Sequence, residues 1–432
     1  MFYQIKQFLR KIIPYGFILQ FHKIRAIAAS IKYGFPSKKL KIIAVAGTKG
    51  KTTTTNMIAR ILEDSGHKVA MLSTANFQIG GKKWLNDVKL TTPSPSYVQK
   101  FLKKAVDEKC EYAILETSSH GMVQFRYWGI KFQTVIFTNL TSDHLDYHKT
   151  FENYKKAHYP LLAQGVKNLI VNYDDFNTHE ILDFSGSFMK TVFMIKDHDD
   201  LKNVFVAKAS NVQLGEDGAL FDLALGEGKY AVKLPLLGEF NVYNALGAIM
   251  VCRAEKVSME AIVKSLATIR NIPGRLEKID EGQNFEVIVD YAHSPESLEN
   301  VYGVLRPYVK GKMIAVLGGT GDRDKTYRAQ GGKLADKFAD IVVVTNEDPY
   351  SEDVEDIIDQ VMSGIKNKKL DENLFRISDR REAIKKAFDL ASSDDLVIIT
   401  GKGCEQFMIF GDKKISWDDR EVAREILKDN KL

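Results

Sequence analysis

A run of small and β-branched residues, Ile42 to Ala46, leads directly into Gly47, Thr48, Lys49, Gly50, Lys51, Thr52 and Thr53. Past it Ile58, Ile61 and Leu62 fall on one face at helical spacing. A strand, a glycine-containing turn and a helix in this order constrain the chain strongly. The backbone N–H groups at such a helix start point at whatever occupies the turn, and the helix dipole adds attraction for an anion. The residue types fit a phosphate: Lys51 would reach the terminal phosphates of a nucleotide, and the Thr52 hydroxyl would ligate Mg²⁺. The strict pattern wants glycine at position 45, where Val45 stands, so the loop is a shortened variant.

The rest of the chain repeats the same alternation. Tyr112–Leu115, Thr134–Phe137, Asn168–Val171, Val287–Val289, Met313–Leu317, Ile341–Val344 and Leu396–Ile399 are short apolar runs, each followed by a turn or a helical pattern. Strands alternating with helices predict an α/β fold with mostly parallel sheets covered on both faces. A patch from about 200 to 235, punctuated by Gly215, Gly218, Gly226 and Gly228, reads as richer in β-structure. Asn271-Ile272-Pro273-Gly274 reads as a turn between two α/β blocks. The expected division is a helical segment at 1–40, a nucleotide-binding domain at 41–272 and a Rossmann-like α/β domain at 273–432.

With 432 residues, 44% hydrophobic and 27% charged, the chain has material for several cores. Its net charge of +5 is scattered, which argues against a nucleic-acid partner. Three distant cysteines, Cys110, Cys252 and Cys404, lack metal-ligand spacing and point to a reducing, cytoplasmic setting. Between Phe8 and Phe35, apolar residues interleave with Arg10, Lys11, Lys23, Arg25 and Lys32, without a secretory cleavage site. Two readings stay open: helices docked on the body, or a basic amphipathic element touching a membrane peripherally.

The loop resembles the ATP loop of the Mur ligases, a family that also includes folylpolyglutamate synthase. Eight further segments follow in that family's order. They are Thr91-Thr92-Pro93; Glu116-Thr117-Ser118-Ser119-His120-Gly121 with Arg126 beyond it; Thr138-Asn139-Leu140 leading to Asp143-His144-Leu145-Asp146-Tyr147-His148; Gly238-Glu239-Phe240-Asn241-Val242-Tyr243-Asn244; Pro273-Gly274-Arg275; Asp290-Tyr291-Ala292-His293; Gly321-Asp322-Arg323-Asp324-Lys325; and Gly401-Lys402-Gly403-Cys404-Glu405. Together they span about 42 to 425 and look most like the UDP-N-acetylmuramoyl-tripeptide synthetase branch, which adds the third peptide residue in peptidoglycan synthesis.

The resemblance implies a carbon–nitrogen ligase: ATP phosphorylates a carboxylate, and an amine displaces the phosphate. It implies ATP and Mg²⁺ as cofactors. It puts Gly47 to Thr53, Asn139 and Arg275 on the phosphates, Asn241 and Asn244 near the adenine, and Asp290 on the ribose. It implies that Lys51, Glu116, His144, His158 and Arg275 act in catalysis, with Thr52, Glu116, His144 and His158 holding metal. Thr91, Thr92, Ser118, Ser119, Arg126, His293, Glu347, Asp348, Tyr350, Gly401 and Glu405 would receive the muramyl-peptide acceptor and the amino acid. A monomer is expected.

Three departures from the family pattern matter. His158 stands where the family places a lysine whose carbamate bridges two metals; either the second-metal site is modified, or His158 positions the carboxylate without a metal. Glu347-Asp348-Pro349-Tyr350 stands where enzymes for meso-diaminopimelate carry an Arg for the distal carboxylate. Two acids and no Arg favour a lysine-like side chain, unless Asp348 only caps a helix entered at Ser351. Finally, residues 1–40 are too few for the family's UDP-binding domain. A lipid-linked muropeptide, a folate-like polyglutamate acceptor or a nucleotide-binding pseudoenzyme therefore remain alternatives.

Overall fold

The structure, a computed structural model, describes residues 14–162, 165–198, 201 and 204–429. The stretch Phe8 to Ile13 of the N-terminal segment lies outside them. Two compact units divide at Arg270 and Asn271.

The first unit is built on one sheet. Its strands are β1 (Lys41–Ala46), β2 (Val69–Leu72), β3 (Asn76–Ile79), β4 (Lys82–Leu85), β5 (Tyr112–Glu116), β6 (Thr134–Phe137), β7 (Asn168–Asn172), β8 (Met189–Met194), β9 (Phe205–Gly215), β10 (Gly218–Leu225) and β11 (Gly228–Leu234). They lie in the order β11-β10-β9-β8-β7-β6-β1-β5-β2-β3-β4. From β2 to β9 all pairings are parallel. The central strands β5, β6 and β7 are buried at every position, as a sheet covered on both faces requires. The β-rich patch is an antiparallel meander, β9-β10-β11, in which buried and exposed positions nearly alternate, so one face meets water.

The helix Lys51–Asp64 follows β1 and buries Met57, Ile58, Ile61 and Leu62. Fully burying each such side chain contributes about 1.5–3 kcal/mol. Helix Glu239–Ala254 packs beside it. Near the start of the described chain, helix Tyr15–Lys32 lies on helix Pro95–Asp107. There Ser30 Oγ donates to Trp128 O (2.9 Å) and accepts from Gln99 Nε2 (3.1 Å).

The second unit has its own sheet: β12 (Glu277–Ile279), β13 (Glu286–Val289), β14 (Met313–Leu317), β15 (Ile341–Val344), β16 (Leu374–Arg376) and β17 (Leu396–Ile399). The order is β12-β13-β17-β14-β15-β16, parallel except at β12. A hairpin, β18 (Phe407–Phe410) with β19 (Lys413–Ser416), completes the unit. The α/β expectation holds, with mostly parallel sheets in both units and a helix in the N-terminal segment.

Candidate active site

Parallel strands gather their C-terminal ends at one edge, where ligands of open α/β sheets bind. In the first unit, β1, β2, β5 and β6 deliver the phosphate loop, Ser73-Thr74, Glu116 and Thr138-Asn139 to that edge. Gly47 (φ 131°) and Gly50 (φ 78°) hold backbone conformations open to glycine. A Cβ on Gly47 would collide with Thr138 Oγ1, and one on Gly50 with Asn244 Oδ1. Lys51 Nζ donates to Thr48 O at 2.6 Å, inside the loop.

Neighbouring side chains brace the loop. Asn139 Oδ1 accepts from Lys49 N (2.8 Å), and its Nδ2 donates to Lys49 O (3.0 Å). Thr138 Oγ1 donates to the same carbonyl at 2.6 Å. Thr48 Oγ1 meets Tyr154 OH at 2.8 Å. Asn139 therefore shapes the loop backbone. Asn244 Nδ2 donates to Asn241 Oδ1 (2.9 Å), Asn241 Nδ2 donates to Leu237 O (2.8 Å), and Asn244 lies against Gly50. Asn244 thus stands beside the phosphate loop, with Asn241 bonded to it.

Glu116 ends β5, buried to 3% exposure. Its two carboxylate oxygens accept from Thr52 Oγ1 at 3.1 and 3.0 Å, from Thr74 N at 2.6 Å and from Thr74 Oγ1 at 2.7 Å. Thr74 carries the network onward to Thr91 (2.9 Å). Thr92 Oγ1 meets Ser118 Oγ (2.8 Å) and Tyr127 OH (2.5 Å), while Arg126 donates to the Thr92 carbonyl. Thr52, Glu116, Thr91, Thr92, Ser118 and Arg126 thus form one continuous array. Thr74 and Tyr127 had not been singled out by sequence. The available signal for Thr74 was its place just past a strand neighbouring the one that ends in Glu116.

A cluster of aromatic rings flanks this array. The His120 ring lies 4.8 Å from His144, 4.1 Å from Tyr147 and 5.5 Å from His148. His148 Nε2 meets Ser119 Oγ at 2.9 Å. Burial, with neighbouring histidines adding to it, holds His120 and His148 down to about 4, so both are neutral at pH 7. His144 sits in the left-handed region (φ 55°) at the start of the short helix Leu145–His148 and is half exposed.

Hydroxyl and carboxylate oxygens meeting at a helix N-terminus suit Mg²⁺, and Thr52 with Glu116 fits that donor set. His158 does not. It is fully buried, 5.2 Å from the Tyr154 ring and 6.1 Å from the Phe137 ring. Neither ring nitrogen has a hydrogen-bond partner among the described residues. Burial drives its pKa down to about 3, and neutral imidazole is a poor Mg²⁺ ligand. No group of three His, Cys, Asp or Glu side chains among the described residues is arranged to hold a metal ion. In this structure His158 is a packed, neutral histidine whose ring nitrogens meet no hydrogen-bond partner among the described residues.

In the second unit Arg275 lies over the Tyr291 ring at 4.5 Å. Asp290 uses both oxygens on backbone, accepting from Leu276 N and Ala292 N at 2.7 Å each; burial raises its pKa while nearby Arg275 opposes the shift. Ser294 caps the helix Pro295–Leu305. His293 is exposed, its Nδ1 2.9 Å from Tyr291 O.

The acidic segment after β15 proves to be paired. Lys402, 0% exposed, donates to both Asp348 oxygens at 3.1 Å and to Glu405 Oε2 at 2.8 Å. Asp348 also accepts from Ile409 N at 2.8 Å. Glu347 accepts from Thr320 Oγ1 at 2.6 Å and abuts Gly401. Burial raises the Glu347 pKa, opposed first by Lys402. Beneath them Arg380 binds Asp419 with two bonds (2.8 and 2.7 Å) and donates to Asn346 O and Thr400 O, fixing both strand ends. The next helix begins at Val354 and is capped by Asp353, so Asp348 is no helix cap. Lys402, quoted in its motif but given no role there, neutralises part of the cluster. Tyr350, with φ 50°, exchanges backbone bonds with Ile409 and Gly411.

Comparison with known proteins places the chain in a family. Residues 45–252 match the Mur ligase middle domain, and 274–403 match the Mur ligase glutamate ligase domain. The chain is 39% identical over 409 residues to a Clostridium botulinum UDP-N-acetylmuramoyl-L-alanyl-D-glutamate--2,6-diaminopimelate ligase, covering 94% of this chain and 82% of that protein. The chain belongs to the Mur ligase family. A solved structure of a ligase with that same name superposes with a TM-score of 0.64 at 29% identity, over 91% of this chain and 79% of the other. A Mycobacterium tuberculosis folylpolyglutamate synthase with bound ADP shares the fold at a TM-score of 0.71 and 19% identity, over 88% and 91%.

Proposed function

We propose that this Mur ligase is an ATP-dependent, ADP-forming amide ligase that adds the third residue to a UDP-N-acetylmuramoyl dipeptide in the cytoplasm during peptidoglycan precursor synthesis. The observation that carries the reading is Glu116, held at the end of β5 by Thr52 of the phosphate loop and by Thr74. The relatives supply the acceptor class.

Carboxylate and amine do not condense at neutral pH, because oxide is a poor leaving group. An acceptor carboxylate oxygen attacks the γ-phosphorus and ADP leaves. The amine then attacks the acyl carbon, and phosphate leaves with the oxygen that the carboxylate gave up. Positioning and charge neutralisation do most of the work in such transfers. Loop N–H groups and Lys51 hold the terminal phosphates. Thr52 and Glu116 would hold Mg²⁺, which would neutralise phosphate charge. Thr91, Thr92, Ser118 and Arg126 present the acceptor.

For the incoming amino acid the reading is a diamino acid. Glu347, Asp348 and Glu405 outnumber Lys402, which favours a cationic side-chain end such as that of lysine. A second reading, diaminopimelate, draws on Arg323, close enough to influence the Tyr350 hydroxyl and able to meet a distal carboxylate. Phosphate release from ATP is the test, using UDP-N-acetylmuramoyl-L-alanyl-D-glutamate with lysine, ornithine or diaminopimelate. Release that requires both acceptor and one of these amino acids is expected. Release with folate acceptors alone, or none with any pair, would overturn the proposal.

A further inference from the structure

The fully buried residues of helix Tyr15–Lys32 are small, although Tyr15 also bonds Tyr147 and Lys23 lies over the Phe125 ring. Ala26, Ala29 and Ser30 are buried, while Phe17 (71% exposed), Phe21 (59%), Ile24 (63%) and Ile31 (64%) stand in water. At 100° per residue these four fall within about 80° of one another, on the side away from Ala26 and Ser30. Exposed Arg25 and Lys32 border the stripe along one side, and exposed Lys38 and Lys39 follow in the next turn. No aspartate or glutamate occurs in the sequence before Glu63. No described helix is long and apolar enough to cross a membrane.

We propose that this face docks on an anionic phospholipid bilayer, lying in the headgroup plane with Phe17, Phe21, Ile24 and Ile31 turned toward the acyl chains. An apolar stripe with a basic border and no acid is the pattern of an interfacial helix. Negative headgroups complement Arg25, Lys32, Lys38 and Lys39 and screen their mutual repulsion. A second copy of the chain fits the same face badly, because pairing the stripes would bring like-charged borders together. The inference is independent of the ligase reading: an interfacial helix acts whatever the active site makes.

Vesicle co-sedimentation of the full chain tests it, with phosphatidylglycerol–phosphatidylcholine vesicles against phosphatidylcholine alone, at low and high salt. Binding to anionic vesicles is expected, weakening as salt rises. The triple variant Phe17→Ser, Phe21→Ser, Ile24→Ser should bind about tenfold less, and Arg25→Glu with Lys32→Glu should lose the preference for anionic lipid. These side chains are exposed, so unchanged thermal unfolding and phosphate release in solution would show that both variants fold. Three results overturn the proposal: no anionic preference in the parent chain, full binding by the triple variant, or a parent dimer that the triple variant converts to monomer.

Discussion

The two units hold their buried acids in opposite ways. Glu116 in the first unit meets only hydroxyls and one backbone N–H, and no Lys or Arg pairs with it among the described residues. Asp348 and Glu405 in the second unit share the ammonium of Lys402. A carboxylate bonded only to neutral donors keeps its charge available to an incoming cation. Carboxylates already paired with lysine have spent much of theirs on the fold. The first arrangement suits an incoming cation, and the second fixes the acids to the surrounding fold.

The comparison can be broken at several points. Lys51→Ala should cut ATP-dependent phosphate release by about 10³-fold; retained turnover would sink the reading of the first unit. Lys402→Ala should leave folding of the second unit weaker by about 3 kcal/mol in urea titrations, because it strands buried acids. The loss should shrink toward pH 5: unpaired buried carboxylates have folded pKa values above their unfolded ones, so stability returns as they protonate. A loss independent of pH would mean that packing, not charge, explains it.

Two smaller effects sharpen the contrast. Thr74→Val removes one hydroxyl from Glu116 and should lower turnover about tenfold while stability moves by about 1 kcal/mol. An unchanged rate would remove Thr74 from the site. Glu347 has its pKa raised by burial, so its contribution to stability is present below the ordinary carboxylate range and is lost as pH rises through the folded value. Glu347→Gln should therefore flatten the stability–pH curve above pH 4.5. If the slope persists, Asp290, whose carboxyl burial also raises, becomes the source.

Much of the fold was legible because its signals are local. The eight strands read from apolar runs all form, at Lys41–Ala46, Tyr112–Glu116, Thr134–Phe137, Asn168–Asn172, Glu286–Val289, Met313–Leu317, Ile341–Val344 and Leu396–Ile399. Short strands such as Lys82–Leu85 and Leu374–Arg376 escaped notice. They are too brief to show a period, and pairing with a neighbour decides them. The surroundings of His158 were hidden for a related reason: only packing reveals that Tyr154 and Phe137 flank it.

What the sequence determined by itself was the phosphate loop, since Gly47, Gly50 and the helix beyond them depend on conformational freedom and periodicity within some twenty residues. What only the tertiary structure decided was which acids remain open. Glu116 finds Thr74 across 42 residues, and Asp348 finds Lys402 across 54. Charge pairing depends on distance in space and on the water excluded around the pair, and neither is written in the order of residues along the chain.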